Sequence, residues 1–111
     1  MAVPRINNFP DRDLKIADFA KALSHPARVA ILKVLAERGD CICSELVADL
    51  PLAQSTVSQH LRALKDLGLI KGTVDGPRSR YCLDWKVFEL YRREMNSWSE
   101  KMLRLRQDNC C

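Results

Sequence analysis

The chain has 111 residues, of which 47% are hydrophobic and 29% are charged, and its formal net charge is +4. This length provides one compact domain with a real core but not two, and the mild basicity is compatible with a polyanionic partner without requiring one. No apolar run approaches the roughly 20 residues that span a bilayer, and the N-terminus lacks the apolar segment of a signal peptide, so we expect a cytoplasmic protein with no membrane partner.

Proline, glycine and the spacing of apolar residues predict the first two helices. Residues 1–10 contain two prolines and two adjacent asparagines, which indicates a flexible lead. Apolar residues then recur at helical spacing from Asp11, which predicts a helix that ends near Ser24. Ser24 is expected to cap a second, buried helix that has Pro26 in its first turn and Gly39 at its end.

The next two helices form a helix-turn-helix. The segment "CSELVADL" is short and amphipathic, and Pro51 stops it. The segment 54–67 places four apolar residues on one stripe: Val57, Leu61, Leu64 and Leu67. Gly68 follows where helices commonly end in a left-handed residue. Two helices joined by a tight turn are typical of DNA-binding proteins, and the second one is then the recognition helix.

The remaining chain predicts a β-hairpin and a long amphipathic helix. Two strand-like runs flank the turn signal Asp75-Gly76-Pro77, so the segment after the recognition helix is interpreted as a wing. From about Trp85 to Arg106, apolar residues recur alternately three and four apart, as in a coiled-coil seam. These residues are Phe88, Tyr91, Met95, Trp98, Met102 and Leu105. Such a stripe requires a partner helix, which favours a two-fold dimer.

The predicted fold class is therefore mainly α with a small β-hairpin wing, a dimeric winged helix-turn-helix. Residues 1–10 form the lead, residues 11–109 form the domain with its flanking dimerisation helices, and residues 110–111 form a Cys-Cys tail.

The predicted DNA-binding residues lie on the recognition helix and the wing. Successive helical residues are about 100° apart, so the face opposite Val57 and Leu61 carries polar side chains. On the helix these are Gln54, Ser55, Thr56, Ser58, Gln59 and Arg62, and at or beside the hairpin tip they are Arg78 and Arg80. Glutamine can pair with adenine, and arginine with guanine or phosphate. A solvated polar face would look similar, but the wing favours double-stranded DNA.

The five cysteines carry a second candidate site. In a reducing cytoplasm such a set favours metal binding or redox chemistry over structural disulfides. Cys41 and Cys43 precede the helix-turn-helix, and residues two apart on a helix point about 200° apart. We therefore expect that they can bind one ion only if the start of the third helix is held open. The tail residues Cys110 and Cys111 could supply a third thiolate, or the tail could be incidental and the pair could simply fill space.

Three further residues are weaker candidates for metal ligation. Cys82 is expected to pack into the hairpin and is only a reserve ligand. His60 lies near the apolar stripe, which predicts a half-buried structural role, and His25 is expected at the start of a helix.

The segment "LSHPARVAILKVLAERGDCICSELVADLPLAQSTVSQHLRALKDLGLIKG" closely resembles the ArsR family of small winged-helix repressors, and the likeness covers roughly residues 13–98. The resemblance implies a homodimer that leaves its operator when an inducer binds. In that family a Cys-x-Cys at the start of the third helix marks sensors of arsenite, antimonite or soft metals, and it matches Cys41 and Cys43. The implied inducer is As(III) or Sb(III), with zinc or cadmium as secondary candidates.

Two departures from the family pattern matter. The last helix contains no histidine, so the family's zinc site on that helix is not expected. Ala53 stands where many members have a serine that caps the recognition helix.

Two other functions remain open at this point. The cysteines could form a redox or persulfide switch on the same DNA-binding protein, or the chain could be a thiol-rich metal buffer or an interaction module without DNA binding. The sequence contains no paired carboxylates, nucleophile triad or phosphate loop, so an enzyme is not expected.

Overall fold

The computed structural model describes residues 8–73 and 79–107. It has five helices and three strands in this part of the chain, and the predicted winged helix-turn-helix is confirmed. In chain order they are α1 (Asp11–Ala22), α2 (Pro26–Arg38), β1 (Asp40–Ile42), α3 (Cys43–Asp49), α4 (Gln54–Asp66), β2 (Ile70–Thr73), β3 (Arg80–Leu83) and α5 (Trp85–Arg104). Helices α3 and α4 form the helix-turn-helix, and β2 and β3 belong to the wing.

The residues that end α2 and α4 are as predicted from the sequence, but the residue that caps the start of α2 is not. Gly39 and Gly68 have positive φ angles of 83° and 82°, as expected for residues that end α2 and α4. The N-cap of α2, however, is His25 and not Ser24: the His25 side chain accepts a hydrogen bond from the Ala27 N–H. Pro26 occupies the first helical position, and a proline there places the cap at the residue directly before it.

The sheet has three antiparallel strands in the order β1-β3-β2, not the two of a simple hairpin. Cys41 on β1 and Gly72 on β2 both lie opposite Tyr81 on β3. The expectation that Cys41 lies at the start of the third helix is therefore wrong, because it lies in an extended strand. Three residues are too few to show a strand period, and their pairing partner lies about forty residues away in the sequence.

The core lies between α2, the helix-turn-helix and the inner face of the sheet. Its fully buried side chains are Ile31, Leu35, Cys41, Leu46, Val57, Leu61, Leu64 and Leu69. Helices α1 and α5 pack together beside it, where the ring of Phe19 stacks on Tyr91 with centroids 5.7 Å apart. The Tyr91 hydroxyl donates a 2.6 Å hydrogen bond to the carbonyl of Leu67. This bond ties α5 to the end of the recognition helix.

Among the described residues, no helix is long and apolar enough to cross a membrane.

Gly72 is required where the two wing strands approach each other. A Cβ atom added there would lie 2.0 Å from the carbonyl oxygen of Arg80, which is a backbone atom that cannot move aside cheaply. We therefore expect Gly72→Ala to reduce the free energy of unfolding by about 1–3 kcal/mol, as measured by urea denaturation. Lys71→Ala, at the exposed neighbouring position, is the control and should change it by less than about 0.5 kcal/mol. Equal effects of the two changes would contradict this account of the strand contact.

Candidate DNA interface and thiol site

Helix α4 is clearly two-sided. Val57, Leu61 and Leu64 are fully buried, whereas the predicted DNA-binding residues on this helix lie on its other sides. Gln54, Ser55, Gln59 and Arg62 are exposed, and Thr56 and Ser58 are half-buried. The α4 cap is Ala53, which provides no capping side chain. The geometry leaves the polar side chains of α4 available to a partner.

The wing lies beside this polar face. Arg80 is exposed at the first position of β3, and Arg78 lies outside the described residues. Lys65, near the end of α4, donates a 3.0 Å hydrogen bond from Nζ to the carbonyl of Gly72 on β2. This bond fixes the wing relative to the recognition helix. A polar cleft of about 310 Å³ separates the two elements and is lined by Ser58, Arg62, Lys65, Asp66, Ser79 and Tyr81.

Cys41 and Cys43 lie on either side of the junction between a strand and a helix. Cys41 is the middle residue of β1, and Cys43 is the first residue of α3. Ile42 between them has an extended backbone, with φ of −86° and ψ of 142°. Side chains two apart in extended backbone point to the same side, so the non-helical backbone that chelation requires is present. Both thiols are buried in the core, with exposures of 1% and 7%.

Cys43 contacts both helix α4 and the residue directly before strand β3. Its Sγ lies 3.6 Å from the Ser58 Oγ on α4, within hydrogen-bonding distance for sulfur. Its backbone N–H donates a 3.3 Å hydrogen bond to the carbonyl of Ser79, directly before β3. A movement of Cys43 would therefore disturb the recognition helix and the wing together.

Burial controls the acidity of the other thiol. The pKa of Cys41 is raised, first by its burial and then by the carboxylates of Glu45, Asp49 and Asp40, while Arg38 acts in the opposite direction. Arg38 pairs with Glu45 at 3.5 Å and with Asp49 at 2.5 Å, which fastens the end of α2 to α3. Burial thus favours the protonated form of the Cys41 thiol and protects it from solvent.

Comparisons with known proteins identify the family. The family model described as "Bacterial regulatory protein, arsR family" matches residues 25–71. The uncharacterized HTH-type transcriptional regulator MJ1325 of Methanocaldococcus jannaschii is 38% identical over 80 residues, which are 70% of this chain and 89% of that protein. The chain belongs to the ArsR family of helix-turn-helix transcriptional regulators.

Two further similar proteins agree with this assignment. The HTH-type transcriptional regulator CmtR of Mycobacterium tuberculosis is 39% identical over 72 residues, covering 65% of this chain and 60% of CmtR. The match thus spans less than two thirds of CmtR. An ArsR-like transcriptional regulator from Rhodococcus sp. RHA1 has a solved structure that superposes with a TM-score of 0.69 at 26% identity, over 83% of this chain and 86% of that one. These relatives are named as transcriptional regulators, not as enzymes.

Cys82 is separated from the thiol pair. It is half-buried on β3, opposite Asp40 and Lys71. Because side chains alternate along a strand, it lies on the other face of the sheet from Tyr81 and from Cys41, the partner of Tyr81. Burial and a hydrogen bond with Asp40 raise the pKa of Cys82. This placement agrees with the expected packing of Cys82 into the wing. It also places Cys82 on the opposite face of the sheet from Cys41, where it cannot join Cys41 and Cys43 in one site.

The candidate third ligand lies beyond the described residues. Cys110 and Cys111 fall outside them. Within residues 8–73 and 79–107, no group of three or more His, Cys, Asp or Glu side chains could hold a metal ion. In this part of the chain Cys41 and Cys43 are therefore not joined by a third candidate ligand.

The two histidines have structural partners, as predicted. His25 caps α2, and the half-buried His60 accepts a 3.2 Å hydrogen bond at Nδ1 from the Nε of Arg28. Sequence reasoning missed the bond between Arg28 and His60, the bond from Lys65 to the wing and the strand β1. The first two could not be found, because each joins residues that only the packing of α4 against its neighbours brings together.

Proposed function

We propose that this protein is a homodimeric transcriptional repressor that leaves its operator when As(III) or Sb(III) binds to Cys41, Cys43 and a tail cysteine, Cys110 or Cys111. The observation that carries this proposal is the position of the Cys41–Cys43 segment. Its strand pairs with β3, and Cys43 contacts Ser58 on the recognition helix. An ion bound there acts directly on the surface that faces DNA. The protein would act in the cytoplasm, where both its DNA and a reducing environment are present.

The polar face of α4 is the proposed reading surface. Gln59 and Arg62 are exposed there, and these side chains can recognise adenine and guanine edges in the major groove. Arg80 on the wing would contact the phosphate backbone or a minor groove. A dimer would place two recognition helices in half-sites about 34 to 36 Å apart.

The apolar stripe on α5 supports the dimer. Tyr91 is buried against α1, and Met95 packs partly against the core. Farther along the helix, Trp98 and Met102 continue the same stripe at helical spacing, but they are 41% and 50% exposed. Large apolar residues that extend a buried seam into solvent are suited to a second copy of the same helix.

The capture of arsenite requires no oxidant or reductant. Neutral arsenous acid, As(OH)₃, exchanges its three hydroxyl groups for three thiolates: each S–As bond forms as an As–O bond breaks, and each thiol proton leaves with the hydroxyl as water. Soft, trigonal As(III) suits three sulfur ligands, whereas zinc prefers four ligands in a tetrahedron. Because Cys41 is 1% exposed, the ion can reach it only after the core opens locally, and an opening that separates β1 from β3 would move the wing.

The test is fluorescence anisotropy of the reduced protein on DNA from its own upstream region, titrated with arsenite and in parallel with zinc. We expect tight binding that arsenite reverses at a near-stoichiometric dose and that zinc reverses only weakly. The variant with Gln59→Ala and Arg62→Ala should lose sequence-specific binding, since each good base contact contributes about 1–3 kcal/mol of discrimination. The absence of specific binding by the intact protein would favour a metal buffer or an interaction module instead.

A redox or persulfide switch is the second candidate function. It is favoured by the finding that, among the described residues, no group of three or more His, Cys, Asp or Glu side chains could hold a metal ion. In that case peroxide would accept two electrons and the two thiol protons, leaving as two waters while Cys41 or Cys43 forms a disulfide with the tail. A persulfide donor would instead transfer its outer sulfur to one thiol and leave as a thiol, and the second thiol would then displace that sulfur as hydrogen sulfide. Operator release by peroxide, with loss of two thiols per chain and no response to arsenite, would support this function over the metalloid sensor.

A further inference from the structure

A cluster of two histidines and an arginine joins the start of α2 to the recognition helix. The rings of His25 and His60 lie with their centroids 4.7 Å apart. Arg28 donates from Nε to the Nδ1 of His60 at 3.2 Å and from NH1 to the carbonyl of Lys21 at 2.7 Å. One guanidinium group therefore connects the end of α1, the first turn of α2 and the middle of α4.

Both imidazoles accept a hydrogen bond at Nδ1. His25 accepts from the Ala27 N–H at 2.9 Å, and His60 accepts from Arg28. A ring nitrogen can accept only while it carries no proton, so the cluster requires neutral histidines with the proton on Nε2. The same tautomer argues against a metal between the rings, because a ligating Nε2 must be unprotonated and normally has a donating N–H on its other nitrogen.

Protonation of His60 would break the link to α4. The Nδ1 proton would face the Arg28 N–H, so the acceptor would be lost and two cations would stand in contact. The ring of His25 lies beside them. His60 directly follows Gln59 on α4, so the proposed DNA-binding residues would lose a hydrogen bond that helps to position their helix against α2.

We propose that Arg28 is a positioning residue for the recognition helix, which it holds through a neutral His60, and that protonation of His60 weakens operator binding in mild acid. This inference rests on the proposed DNA-binding function, although the cluster itself does not.

The surroundings of His60 favour its neutral form. Its pKa is lowered from the ordinary value of 6.5, first by burial and then by His25 and Arg28. The other elements that pack on α4 are α3, with Glu45 and Asp49, and β2, with Lys71. The causes of the lowered pKa are burial, His25 and Arg28, and none of these three charges is among them.

The direction of the pH effect follows from this lowered pKa. The unfolded chain takes up the His60 proton near pH 6.5, before the folded chain does. The stabilisation is therefore fully present above that pH and is lost as the pH falls through the lower pKa of the folded state.

The test is the operator dissociation constant from about pH 8 to about pH 5 at constant salt, with a scrambled DNA as reference. The wild type should bind its operator about tenfold more weakly at the acid end, which is the scale of losing one hydrogen bond to a charged group. Binding to the scrambled DNA should not weaken, because an added positive charge strengthens attraction to phosphates.

Three variants distinguish the positioning of α4 by Arg28 and His60 from a general effect of acid on operator binding. His60→Asn keeps an acceptor at the position of Nδ1, but the asparagine side chain does not titrate. Its operator affinity should therefore match that of the wild type at pH 8 and should not change as the pH falls. Arg28→Ala should already show the weak binding at pH 8, without further loss. His25→Asn keeps the N-cap acceptor of α2, and its operator affinity should still fall in acid by most of the amount seen in the wild type. If the operator affinity of His60→Asn falls in acid as much as that of the wild type, the proposal is overturned.

A second measurement does not depend on DNA. Nitrogen NMR of the free protein should show His60 with an unprotonated Nδ1 at pH 8, and the Arg28 Nε resonance should move with the titration of His60. If His60 titrates and Arg28 does not respond, the positioning role is overturned. If Arg28 does respond but the protein binds no DNA, the repressor function has failed while the link between Arg28 and His60 stands.

Discussion

Trp98→Glu is expected to convert the proposed dimer to a monomer and to weaken operator binding by at least about a hundredfold. Truncation of a central aromatic anchor at an interface commonly costs about 2 kcal/mol or more, and a carboxylate buried between two apolar helices would add to this cost. A monomer also contacts only one half-site. Sedimentation measures the mass, and anisotropy at the same protein concentration measures the operator affinity.

The control for this change lies on the same helix. Leu103 is 64% exposed, and it lies about 140° around the helix from Trp98, away from the stripe that ends with Met102 and Leu105. Leu103→Glu thus adds the same charge and removes a similar apolar surface outside the proposed seam. It should leave the mass and the operator affinity unchanged. A dimeric Trp98→Glu protein, or equal effects of the two changes, would contradict the assignment of α5 as the dimer interface.

Elements with strong periodicity were predictable from the sequence. Helix α4 begins at Gln54 as expected, and its apolar stripe is buried. Helix α5 begins at Trp85. The polar face of α4 follows directly from the same period, so the exposure of most candidate DNA-binding residues on this helix could be inferred from residue spacing alone. The cap of α2 was predicted wrongly as Ser24, although a proline at the first helical position points to the residue directly before it, His25.

The thiol site was predictable only in part. The sequence indicated that Cys41 and Cys43 need non-helical backbone, but strand β1 depends on hydrogen bonds to β3, far along the chain. A three-residue strand has no period of its own. The contact between Cys43 and Ser58 likewise depends on how α3 packs against α4. Long-range pairing of this kind determines whether the thiols can act on the recognition helix, and local sequence does not encode it.

Cys41→Ser and Cys43→Ser are each expected to prevent release at the arsenite concentration that releases the wild type. The concentration required for release should rise by at least about a hundredfold. Even the loss of a group that only orients a metal ligand costs about 10 to 100-fold in affinity, and here a ligand itself is removed. Operator affinity without arsenite should remain close to that of the wild type for Cys43→Ser, since a hydroxyl can still bond to the nearby Ser58 Oγ.

Matched variants test the role of each cysteine. Cys82→Ser changes a half-buried thiol on the other face of the sheet, and its arsenite response should be normal. Cys41→Ser places a hydroxyl in the apolar core and is expected to cost about 1–3 kcal/mol of stability if that hydroxyl is unpaired, so Cys41→Ala serves as a second variant without a polar atom.

The tail is tested by changing Cys110 and Cys111 to serine together. If the tail supplies the third thiolate, this protein should still bind its operator but should require much more arsenite for release. A normal response would remove the tail from the site and leave As(III) on two protein sulfurs with one remaining hydroxyl. A normal response in both Cys41 and Cys43 variants would instead contradict the proposed sensor. Strand β1 pairs with β3, and Cys43 contacts Ser58 on α4. Removal of either thiol of the pair should therefore abolish both the binding of the ion and the release of DNA.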